Sequence, residues 1–125
     1  MDPTLPLSFV SSFVAGAFFC NSLPHLVCGL TGRAFPTPFA RPRGVGRSSA
    51  VANFLWGFVN LVLGWALVAW RPFRLGPDTR WLTFGLGVLL LGLYLAWRFG
   101  RLAAKRQGIV SARPVELYLA LQIIY

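Results

Sequence analysis

Three stretches of this chain carry no Asp, Glu, Lys or Arg: the thirty residues from Pro3 to Gly32, the twenty from Val51 to Trp70 and the seventeen from Trp81 to Trp97. An α-helix rises ~1.5 Å per residue, and roughly 17–25 apolar residues are needed to cross ~30 Å of hydrocarbon. All three stretches meet that requirement. The chain reads as an all-α membrane protein with three transmembrane helices, at about residues 6–30, 50–70 and 81–99, and a basic tail at 100–125. A chain of 125 residues has no room for a separate soluble domain beside three spans, so 1–125 is taken as one integral membrane domain.

The charges lie outside the spans and set an expected orientation. The leader carries Asp2 and no basic residue. The first connection carries Arg33, Arg41, Arg43 and Arg47, the second Arg71, Arg74 and Arg80, and the tail Arg98, Arg101, Lys105, Arg106 and Arg113. With three spans the first connection and the tail share a side, which gathers nine basic residues against three opposite. The positive-inside rule then places the N-terminus outside and the C-terminus in the cytoplasm, in a membrane of the bacterial inner (cytoplasmic) type. The net charge of +9 is assigned to this asymmetry and to anionic lipid headgroups, and no nucleic-acid partner is expected.

Ala15-Gly16-Ala17 has the small residues of a signal-peptide cleavage site, yet no basic segment precedes it and apolar sequence continues beyond it, so the first span is read as retained. Cys20 follows Phe18-Phe19, not the small residues that precede a lipid-modified cysteine. Trp70, Phe73 and Trp81 suit one membrane interface, and Trp97 and Phe99 the other.

Helices leave lipid for protein along faces of small or polar residues. In the second span Asn53, Gly57, Asn60 and Gly64 recur at spacings of four, three and four, which places them on one face. The third span offers Gly85, Gly92 and Ala96, and the first Ser12, Gly16 and Cys20. These stripes serve either helix packing or a pathway for a solute.

The polar set most suggestive of function lies in the first span: Asn21, His25 and Cys28 share one face, with Pro24 between them. Pro24 lacks an N–H and clashes with the preceding turn, so the first helix is expected to kink there, near Cys20 and Asn21. In antiparallel helices His25 comes level with Asn53, and Asn21 level with Gly57 and within reach of Asn60. The expected polar intramembrane cluster is therefore Asn21, His25, Cys28, Asn53 and Asn60. His25 either fastens two helices as a neutral imidazole or acts as a proton relay, an anion contact or a haem- or chlorophyll-type ligand. A structural zinc site needs four ligands at short spacing, and Cys20, His25 and Cys28 supply three, so no metal and no cofactor are assigned. Cys20 and Cys28 would lie about 12 Å apart along a regular helix, too far for a disulfide.

The first connection is unusual for a linker. Phe35-Pro36-Thr37-Pro38-Phe39 is followed by Pro42, Gly44 and Gly46, and Ser48 or Ser49 is placed to cap the second helix. Arg33, Arg41, Arg43 and Arg47 form an expected contact for anionic lipid or phosphate.

The spans contain no carboxylate, and no Ser or Cys has a base and an orienting group in recognisable register, so a catalytic role is not expected. The sequence points to a small non-catalytic polytopic protein, an accessory or packing subunit partnered by its own copies or by larger membrane subunits. The alternative is a small oligomeric channel or transporter with a pathway lined by Asn53, Asn60 and His25.

Overall fold

The computed structural model describes residues 4–124, with side chains described as far as Gly108. Asp2 and Tyr125 lie outside the described residues, as do the side chains from position 109 on and with them the interfacial role expected of 115–125. Three helices follow in order: α1 at Leu5–Leu30, α2 at Ala50–Trp70 and α3 at Arg80–Ile124. Among the described residues there is no strand, only an isolated antiparallel bridge between Phe35 and Ser48. α1, α2 and the portion of α3 from Arg80 to Gly108 are each long and apolar enough to cross a membrane. The chain divides between Tyr94 and Leu95 into two compact units. The second is helical as far as Ile124, and in it the Arg101 guanidinium lies 5.1 Å from the centre of the Trp97 ring. The packing described below belongs to the first.

Each helix has a chemical reason to begin where it does, and α1 also to end where it does. Pro6 sits in the first turn of α1, where its missing N–H leaves no bond unmade. At its other end Gly32, at φ 71°, takes the left-handed turn that a side chain would resist, so that Gly32 N–H reaches Gly29 O and Arg33 N–H reaches Cys28 O. Ser49 opens α2 from an extended conformation, its Oγ accepting from Ala52 N–H at 3.2 Å. Asp78 opens α3. Its carboxylate accepts the Arg80 N–H at 3.0 Å and pairs with the Arg80 guanidinium.

The burial pattern is inverted relative to a water-soluble protein. Among the described residues the buried polar side chains are Ser8, Ser11, Ser12, Ser22, His25, Thr37, Asn53 and Asn60, and the buried apolar ones are Ala15, Pro36 and Ala40. Leu, Val, Phe and Trp face outward along all three helices, Leu30 at 73% exposure among them. Lipid tails are as apolar as leucine, so outward leucines cost nothing in a bilayer. Polar groups must instead find partners inside.

α1 is the central element. Along α2 its partners run in reverse order: Ser11 Oγ donates to Leu67 O at 3.4 Å, Gly64 lies against Phe19 and Ala15, Gly57 against His25 and Leu26, and Gly29 against the Phe54 backbone. Along α3 Gly16 meets the Phe84 carbonyl, Gly87 the Phe13 carbonyl and Gly92 the Cys20 Sγ. Phe84 also joins Phe19 and Phe73, both with ring centres 5.6 Å away. On α3 the residue at the closest approach is Gly87, outside the stripe read from the sequence. Gly85 is exposed with nothing within 4 Å of a Cβ built on it, and Ala96 is exposed too.

Two outcomes follow. A Cβ at Gly87 would overlap the Phe13 carbonyl, so Gly87→Ala should lower the unfolding temperature in detergent by an amount equivalent to ~1–3 kcal/mol, whereas Gly85→Ala should leave it unchanged. The bonds from Arg80 hold the Asp78 carboxyl at about 2, below its ordinary 3.8. A lowered folded-state value means that the ionised carboxylate stabilises the α3 start above pH ~3.8 and that this is lost as pH falls through about 2. The Arg80 amide resonance should therefore titrate near pH 2 in the native protein and not in Asp78→Asn.

Candidate functional site

The polar residues of α1 and α2 meet in two layers. In the deeper layer Asn21 Nδ2 donates to Asn60 Oδ1 at 2.9 Å, and Asn60 Nδ2 donates to Trp56 O, one turn back, at 2.7 Å. Nearer the loop that joins the helices, His25 Nδ1 lies 2.8 Å from Asn53 Oδ1. The Asn53 amide nitrogen turns the other way, lying 3.0 Å from Phe35 O, 3.1 Å from Ser48 O and 3.0 Å from Ser49 O. Asn53 is wholly buried and His25 is 3% exposed.

This arrangement fixes the chemistry of both groups. Three carbonyls around one end of the Asn53 amide require the NH2 there, because the reverse orientation would set oxygen against oxygen. Oδ1 therefore faces His25 and can only accept, so Nδ1 carries a proton. Phe35 and Trp56 stand nearly perpendicular to the imidazole, with ring centres 5.4 Å and 6.5 Å from it, and Phe39 stands edge-on to Trp56 at 5.7 Å. The Trp56 Nε1–H is buried with no hydrogen-bond partner.

The loop from Thr31 to Ser49 folds over this end of the helix pair as a cap. Phe35 and Ser48 exchange backbone hydrogen bonds at 3.3 and 3.0 Å, which closes the loop at its base. Within it the Thr37 hydroxyl meets the Ser48 hydroxyl at 2.5 Å, and the Thr37 carbonyl accepts from Ala40 N–H at 3.1 Å and Gly44 N–H at 3.0 Å. Gly46 packs so closely on the Arg41 carbonyl that no side chain fits there. Thr37 and Ala40 are buried, while Arg33, Arg41, Arg43 and Arg47 are exposed.

Of the five residues expected in one cluster, the structure joins His25 to Asn53 and Asn21 to Asn60. Cys28 contributes only its backbone carbonyl, which accepts from Arg33 N–H at 2.8 Å and Thr31 Oγ1 at 3.3 Å. Both cysteines are free and half-buried. Sequence reasoning missed Thr37, Ser48 and Trp56 as members of the site. The one signal for Thr37 was its place between Pro36 and Pro38, since a residue held rigidly in a loop has reason to be facing something. Chemically the site offers an imidazole, amides and hydroxyls, without a carboxylate. No group of three His, Cys, Asp or Glu converges on a point among the described residues. Compared with protein-family models, with curated proteins and with solved structures, the chain matches none.

Asn53→Leu would leave the His25 Nδ1–H without a partner, at ~1–3 kcal/mol if it stays dry, and would take from the Phe35, Ser48 and Ser49 carbonyls the second of their two donors. We expect that variant to lose stability by ~1–3 kcal/mol. Trypsin, which the closed cap should resist, should then cut it rapidly after Arg43 and Arg47.

Proposed function

We propose that this chain is a non-catalytic three-span subunit of a bacterial cytoplasmic membrane, built to pack against its own copies or larger membrane proteins. The observation that carries this reading is the use made of the polar side chains. His25, Asn21, Asn53 and Asn60 are committed to one another and to backbone carbonyls of the same chain, so they fasten α1 to α2 and to the cap. A pathway-lining residue needs its polar atoms turned toward a solute, and a catalytic residue needs them turned toward a substrate.

In this reading the N-terminus lies outside, and the cap and tail lie in the cytoplasm, where the arginine excess favours them. Pro24 withholds the N–H that would bond the Cys20 carbonyl, and α1 bends there, turning His25 toward α2. The outward face then carries the subunit's contacts. α2 presents Phe54 stacked on Phe58, with ring centres 6.2 Å apart, and α3 presents Gly85 with open space around it. A small residue on a lipid-facing surface lets a second helix approach closely.

Purification in mild detergent, with mass and absorption spectrum read together, tests the proposal. We expect a particle several times the 13.8 kDa of one chain. Gly85→Leu should shift it toward the monomer without lowering the unfolding temperature. A colourless particle that conducts ions or solutes, with conduction lost in His25→Ala while assembly persists, would favour the pathway reading instead. A visible absorption band lost in His25→Ala would make His25 a pigment or haem ligand.

A further inference from the structure

The cap presents a surface of one sign. Arg33, Arg41, Arg43 and Arg47 are all exposed, and no Asp or Glu occurs between Asp2 and Asp78, so no carboxylate within the cap or its flanking spans neutralises them. Two apolar side chains stand out among these arginines, Phe39 at 54% exposure and Val45 at 43%. Guanidinium groups suit phosphate oxygens geometrically, and apolar side chains between them suit the boundary between headgroups and acyl chains. The surface is also held in shape. The Phe35–Ser48 bridge, the Thr37–Ser48 hydroxyl pair and the three contacts of the Asn53 amide fix the loop that carries Arg41, Arg43 and Arg47.

We propose that the cap is a preformed docking surface for anionic phospholipid, in which Arg41, Arg43 and Arg47 take headgroup phosphates while Phe39 and Val45 enter the acyl boundary. Asn53 acts as a positioning residue, since it touches no lipid and holds the backbone from which the arginines project. A flexible basic loop would gain the same Coulomb attraction, but it would lose part of it to the ordering of its own chain. Here folding has already ordered the cap. This inference does not depend on the subunit reading, because a monomer would bind lipid in the same way.

The test uses the full chain in a neutral detergent, titrated separately with phosphatidylglycerol and phosphatidylcholine, with bound lipids counted by native mass spectrometry. We expect phosphatidylglycerol to be retained about tenfold more strongly, as ~1 kcal/mol per arginine implies even when much is screened. Arg41→Gln/Arg43→Gln/Arg47→Gln should bring the two lipids level while leaving the unfolding temperature unchanged, because these side chains are exposed. Arg101→Gln/Lys105→Gln/Arg106→Gln in the tail, which removes the same charge, should preserve the preference. Asn53→Leu should weaken it with every arginine still present. Equal retention of both lipids by the native chain would overturn the proposal, as would an equal loss from the tail variant. Displacement of phosphatidylglycerol by millimolar inorganic phosphate would also overturn it, by assigning the surface to the free ion.

Discussion

The rest of the structure depends on one carboxamide. The Asn53 side chain is surrounded by four polar groups drawn from three parts of the chain: the imidazole of α1, the Phe35 carbonyl at the base of the cap, and the Ser48 and Ser49 carbonyls where α2 begins. His25 and Asn53 are buried, and an unpartnered polar group in an apolar medium costs several kcal/mol. A carboxamide meets the requirement because it donates at one end and accepts at the other. An aspartate would set negative oxygens against three carbonyls, and a leucine would strip the imidazole N–H of its partner and each carbonyl of its second donor. Asn53 thus ties the helix pair to the closed loop.

The same constraint explains the packing elsewhere. With lipid on the outside, helices gain little by burying leucine, so close backbone approach and polar pairing must hold them together. Glycine at Gly16, Gly57, Gly64 and Gly87 allows that approach, and serine hydroxyls bond within α1 or across to α2. α1 therefore carries both functions, meeting α3 through Gly16 and α2 through Ala15 and His25. It is the element whose small and polar residues are least confined to one face.

Legibility in the sequence varied with how local the determining physics is. The three spans could be read because hydrocarbon thickness imposes a length and a composition on each segment alone. The Asn53–Gly57–Asn60–Gly64 face could be read because helical period converts spacing into direction. All four residues are buried. That His25 comes level with Asn53, and Asn21 within reach of Asn60, followed from antiparallel geometry and a common rise per residue. α3 was less legible, since it is rich in glycine on several faces. Gly85 and Gly87 differ only in which of them meets α1, and that depends on the rotation of a helix about its axis.

By itself, then, the sequence determined an all-helical chain with three helices long and apolar enough to cross a membrane, and a proline-rich basic connection between the first two. Each of these follows from residues close together in the chain. The tertiary structure alone decided that the connection closes over the helix ends, that Thr37 and Ser48 pair beneath it, that Trp56 stands against His25, and that Cys28 stays outside the hydrogen-bonded set. These outcomes depend on which atoms of distant segments come within ~3 Å of one another, and backbone rotations of a few degrees, to which composition and spacing are blind, decide that distance.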